Sequence, residues 1–189
     1  MNTVVIIAVV AVLVVLLAAG LYMARAKGGG RDLKRRFGPE YERVLDRHHG
    51  DKKAAEEELG ARLDRHGSLR PHPLPPQAKE GYAQQWTAVQ ERFVDAPQQA
   101  VAEAEQLLAH VAQETGFPPA QPYEEQVDAL SVHHADHVDG YRQVHAAARG
   151  EYGTEQMRGA MIEARALFDD LVGADASTGS HHRKERETS

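Results

Sequence analysis

From Val4 to Ala24 the chain runs for 21 residues without a charged side chain. At about 1.5 Å of rise per residue such a run makes a helix of roughly 31 Å, close to the ~30 Å hydrocarbon thickness of a bilayer. Thirteen of its positions are Val, Ile or Leu, and at roughly −0.4 kcal/mol each they favour insertion by up to about 5 kcal/mol. The stretch therefore reads as a transmembrane anchor over residues 1–24. A signal peptide is the competing assignment. Met1-Asn2-Thr3 supplies no basic n-region and the apolar run is long, although Ala24-Arg25-Ala26 has the small-x-small spacing of a cleavage site. Cleavage there would export the rest of the chain with a new N-terminus near Lys27.

The flanks set the orientation. Arg25, Lys27, Arg31, Lys34, Arg35 and Arg36 follow the apolar run with only Asp32 against them, and nothing basic precedes it. Basic residues close to a span are retained on the cytoplasmic side, so the N-terminus is expected outside and the bulk of the chain in the cytosol. The same six residues, on a juxtamembrane linker over 25–36, could hold anionic lipid headgroups. Gly28-Gly29-Gly30 within it reads as a swivel, because three glycines lose too much backbone entropy to continue a helix.

Residues 37–172 then have the length of one compact domain, followed by a polar tail over 173–189 that is expected to be disordered. Between Phe37 and Ser180 thirteen basic side chains stand against twenty-five acidic ones, a net charge of −12. That acidity argues against nucleic acid as a partner, since phosphate binding requires a basic stripe. Cysteine is absent, which excludes disulfides, thiolate chemistry and lipoprotein acylation.

The helical period recurs along the domain. Pro39-Glu40 starts a helix with Tyr41, Val44, Leu45 and His48 on one face, and Gly50 stops it. Asp51 is placed to cap a second helix through Leu59 and Leu63 to His66, with Glu56, Glu57 and Glu58 as a solvated face. Arg70 to Pro76 reads as a polyproline II connector. Tyr82, Trp86, Val89 and Phe93 form a stripe at i, i+4, i+7, i+11. Asp95 should cap the next helix, with Pro97 in its first turn and Gln98 as capping-box partner, and Val101, Ala104, Leu108 and Val111 inward. A short piece holds Tyr123, Val127 and Leu130. Ser131 should open another helix carrying His134, Val138, Tyr141 and His145, and Thr154 should cap the last, with Met157, Met161, Ala164, Phe168 and Leu171 inward. No stretch alternates with the period of a strand. The expected fold is all-α, an N-terminal transmembrane helix followed by an irregular bundle of about six helices.

Reactive residues concentrate at His133-His134-Ala135-Asp136-His137, with His145 beyond. On one continuous helix His133 and His137 would stack at i, i+4, a spacing able to hold a metal ion, with His145 as a further candidate ligand. The position after the first His lacks the Glu base of the metalloprotease motif. No nucleophile elbow, phosphate loop or dinucleotide fingerprint is present, so no catalytic residue and no cofactor are expected.

Four segments carry a resemblance: Arg36-Phe-Gly-Pro-Glu-Tyr-Glu-Arg43, Trp86-Thr-Ala-Val-Gln-Glu-Arg-Phe-Val-Asp95, Tyr141-Arg-Gln-Val-His145 and Arg165-Ala-Leu-Phe-Asp-Asp-Leu-Val172. In order, they resemble an uncharacterised bacterial family of single-pass membrane or secreted helical proteins. The resemblance implies architecture only. Where such sequences carry Asp-His-Pro, this one has His133-His134-Ala135, which weakens a shared metal site. Two functional expectations follow: a membrane-anchored module that binds another protein, or a metal- or ligand-binding domain using the His133–His145 cluster.

Overall fold

The computed structural model describes residues 30–173. The apolar stretch Val4–Ala24, the basic residues Arg25 and Lys27, and the tail beyond Gly173 lie outside the described residues. Among the described residues a helical stretch over 30–37 precedes seven α-helices, with no strand, so the fold is all-α. None of these helices is long and apolar enough to cross a membrane. Contacts divide the chain into two units, residues 1–60 and 61–189.

In the first unit, Gly38 takes φ 47° after the stretch 30–37 and lets Pro39 open α1 (Pro39–Arg47) at the position where a missing N–H is harmless. Glu40, Tyr41 and Val44 form its buried face. Gly50, at φ 84°, turns the chain, and Asp51 Oδ1 accepts from the backbone N–H groups of Lys53 (3.0 Å) and Ala54 (3.2 Å), capping α2 (Lys52–His66) as expected. The expected solvated face is corrected here. Tyr41 Oη donates to Glu56 Oε1 (3.2 Å), and Glu58 receives both Arg47 and His48, so only Glu57 of the three is fully exposed. Of the expected swivel, Gly28 and Gly29 lie outside the described residues, and Gly30 is the first residue of the helical stretch.

The second unit begins within α2 and contains α3 (Pro76–Arg92), α4 (Pro97–Glu114), α5 (Tyr123–His133), α6 (Val138–Ala148) and α7 (Thr154–Gly173). Helices α6 and α7 make the broadest contact, α4 packs on both, α3 lies on α4 and more narrowly on α7, and α5 lies on α6. The predicted stripes supply the core. Trp86 is wholly buried and stacks on Phe168 at 4.7 Å between ring centroids, and Leu108, Leu130, Tyr141, Leu167 and Leu171 are buried in the same cluster.

Three helix starts depart from expectation. Asp95 does not cap α4; Ala96 is the cap residue, without a side-chain bond, and Gln98 Nε2 donates instead to the Ala147 carbonyl (2.7 Å) at the end of α6. That carbonyl lies in the last turn of its helix, where it also accepts from the Gly150 N–H (3.0 Å). Ser131 lies inside α5 rather than opening a new helix, and its hydroxyl donates to the Asp128 carbonyl at 2.7 Å. Finally, Gly153 rather than Thr154 caps α7: its carbonyl accepts from Met157 N–H (2.9 Å) while its N–H donates to Gln156 Oε1 (3.0 Å).

Candidate functional site

The break at residues 134–137 decides the histidine cluster. His133 ends α5, His134 has φ −131°, and His137 stands before α6, so His133 and His137 do not share a helix. The i, i+4 spacing on which metal binding was expected is therefore not realised. The rings of His133, His134 and His145 are instead each engaged by a residue distant in sequence. His133 Nε2 donates to the His66 carbonyl (3.0 Å) and its ring meets Phe117 edge-on at 5.6 Å. His134 Nδ1 donates to Asp170 Oδ2 on α7 (2.6 Å), and this bond holds the Asp170 carboxyl below the usual carboxylate range. His145 Nδ1 donates to Glu105 Oε1 on α4 (2.5 Å) and stacks on Tyr123 at 3.8 Å. Among the described residues no three His, Asp or Glu side chains converge as a metal site.

A buried polar cluster lies between the end of α2 and α5. Arg62, 2% exposed, lies with Nε 2.9 Å from Asp128 Oδ1 in an ion pair whose N–H is poorly aligned on the oxygen, and its Nη1 donates to Ser131 Oγ (3.1 Å). Arg65 Nη2 donates to the other oxygen, Asp128 Oδ2, at 2.9 Å. One carboxylate thus joins two guanidiniums from successive turns of α2 to α5. His66, 4% exposed, keeps Nε2 without a hydrogen bond, 3.9 Å from Glu125 Oε1, and burial lowers its pKa. The Ser131 hydroxyl has no general base beside it: its hydrogen goes to a backbone carbonyl and its oxygen takes a guanidinium. The group is therefore a clamp between helices rather than a nucleophile site. Sequence reasoning missed it because charged residues on a helix are read as a solvated face.

A second buried polar group ties α4, α5 and α6. Tyr141 Oη donates to Gln126 Oε1 (2.8 Å), and Gln126 Nε2 donates to the carbonyls of Ala109 (3.1 Å) and Pro118 (2.8 Å). Every polar atom of that amide has a partner, so it specifies packing and offers nothing to a ligand.

Two open grooves lie on the surface of the described residues. One, of about 260 Å³, has Phe93, Met161 and Ile162 as its apolar lining and Gln90, Arg158 and Arg165 beside them. The other, of about 400 Å³, lies between α3 and α4, with Arg92 paired to Glu103 and His110 nearby. Arg92 keeps the Glu103 carboxyl below its ordinary range. Glu103 and His110 both line the larger groove, Glu103 being held by Arg92, whereas the smaller groove has neither a carboxylate nor an imidazole in its lining.

Of the six basic residues, Lys34 pairs with Glu42 (2.6 Å), Arg35 pairs with Asp32 (2.9 Å), and Arg31 and Arg36 are exposed. The fold and these geometries define an all-α protein whose polar clusters join helices. No family model matches the chain, and no curated protein or solved structure matches it either.

Proposed function

We propose that this chain is a single-pass membrane protein whose helical part works by binding another protein. The observation that carries the reading is the uncharged run Val4–Ala24 followed within twelve residues by six basic side chains. That arrangement inserts by its apolar content and orients by its charge, with the N-terminus outside and the helices in the cytosol. Arg25, Lys27, Arg31, Lys34, Arg35 and Arg36 face the headgroups, at about 1 kcal/mol for each one held at an anionic surface.

Binding rather than catalysis is supported by how the reactive side chains are used. The rings of His133, His134 and His145 are tied to a carbonyl or a carboxylate, and Arg62 and Asp128 to each other. The surface also offers an apolar spot, Ile162, 65% exposed at the groove that Phe93 and Met161 line. Exposed apolar area with an adjacent groove is a feature of interaction surfaces.

Crosslinking intact membranes that carry the full chain, followed by mass analysis of the adducts, tests this. A discrete adduct containing a second polypeptide is expected. A chain that stays at its own mass under conditions that crosslink a control complex contradicts the reading.

A further inference from the structure

Helix α2 changes character along its length. Its first half buries the apolar side chains of Ala55 and Leu59, whereas from Ala61 to its end the buried side chains are those of Arg62 and His66. The last turns of this helix therefore meet α5 through polar groups, without a fully buried apolar side chain of their own. Apolar burial is indifferent to pH, but the closure of a polar seam depends on the charges within it.

With His66 neutral these charges balance. Arg62 and Arg65 are the cations; Asp128, which takes both, and Glu125, in the first turn of α5, are the anions. His66 stands among them 4% exposed, its Nε2 without a hydrogen bond and 3.9 Å from Glu125 Oε1, beyond bonding distance. Arg62 and Arg65 oppose a proton on the ring, while Glu125 and Asp128 favour one. His133, from α5, donates its Nε2–H to the His66 carbonyl (3.0 Å), and Arg70, on the connector that follows, is exposed and donates to the carbonyls of Gly67, Ser68 and Leu69. A proton on His66 therefore adds a third cation beside two guanidiniums, buried from solvent and with no carboxylate within bonding distance of Nε2.

The other side of α5 is held by groups that keep their state between neutral and mildly acid pH. Gln126 donates to the Ala109 and Pro118 carbonyls and accepts from the Tyr141 hydroxyl, which burial makes a weaker acid still. We propose that protonation of His66 releases the last turns of α2 from α5 while α5 stays in place against α4 and α6, an acid-opened clasp inside the second unit. The clasp goes beyond the interaction reading above and does not rest on it. It also differs from a general loss of stability in acid, because one seam opens ahead of the core.

Hydrogen–deuterium exchange of the full chain in detergent micelles, with labelling times scaled for the pH dependence of amide chemistry, follows the clasp directly. Between pH 7.5 and pH 5 the opening constant of the segment 61–69 should rise by up to about thirtyfold, the ratio set by an ordinary histidine pKa of about 6.5 in the open form and a neutral ring in the closed one. The segment 154–173 should not follow it. His66→Gln should abolish the rise. Glu125→Gln, at a half-exposed side chain, should leave exchange at pH 7.5 unchanged and give a rise no smaller than the parent's, because it removes a carboxylate that favours the proton in the closed form. This second variant decides the matter if His66→Gln does not fold. No rise over 61–69, an equal rise over 154–173, a rise that survives His66→Gln, or one diminished by Glu125→Gln would each overturn the inference.

Discussion

Gly140 on α6 lies against the backbone of Glu163 on α7, so that a Cβ added there would stand 2.4 Å from the Glu163 carbonyl oxygen. The contact is backbone on backbone, and no side-chain rotation relieves it. It explains why the two helices can make their broad contact through Val144 and Ala147 on one side and Ala160 and Ala164 on the other, all buried.

Gly140→Ala is accordingly expected to destabilise the fold by about 1–3 kcal/mol, the usual cost of overpacking, despite alanine's better helix propensity. Urea unfolding followed by Trp86 fluorescence measures it. A variant as stable as the parent would show that α6 and α7 are not held this closely.

Asp128→Ala leaves the Arg62 guanidinium buried without its carboxylate. Removing one member of a buried ion pair costs about 3 kcal/mol or more, whereas Asp128→Asn, which keeps an acceptor in place, should cost clearly less. Arg65→Ala, on the exposed arm of the same cluster, should cost under about 1 kcal/mol. The ordering of the three variants in denaturant midpoint is the check; equal effects would contradict the buried clamp.

His66 gives a pH dependence whose sign can be worked out. Burial lowers its folded pKa below the ordinary histidine value, so the unfolded chain binds the proton more readily. Stability from this group is complete above the unfolded value of about 6.5 and is lost as pH falls through the folded one. Melting temperature should therefore drop more between pH 7 and pH 5 for the parent than for His66→Gln. Parallel curves would show that His66 is not held neutral in the fold.

Asp170 acts lower on the scale. The bond from His134 depresses its pKa, so its contribution is present above the unfolded carboxylate value and disappears as pH falls below about 3.8. Asp170→Asn should narrow the stability difference between pH 5 and pH 3, read from the same melting curves.

The helical repeat made most of the second unit legible. Tyr82, Trp86 and Val89 are buried as their spacing requires, and so are Met157, Met161, Ala164, Phe168 and Leu171. Asp51 caps α2 because a carboxylate before a helical run has its acceptor within reach of two free N–H groups. The misses share a cause. Ser131 precedes an apolar period and so resembles a cap, yet its hydroxyl is taken by Arg62, sixty-nine positions away in sequence. Gln98 follows Asp95 at capping-box spacing and is claimed by a carbonyl of α6. The turn at residues 134–137 contains neither Gly nor Pro, so nothing local marked the break that separates His133 from His137. Local signals choose among local partners, and these side chains found theirs across the fold.

Anchoring by Val4–Ala24 is the claim on which the account turns. Alkaline carbonate extraction of membranes bearing the full chain with a reporter fused after Ser189 measures it most directly. The account predicts that the intact chain stays with the lipid and the reporter is active in the cytosol. Release of the chain into the supernatant, or a reporter active only outside the cytosol, would contradict it.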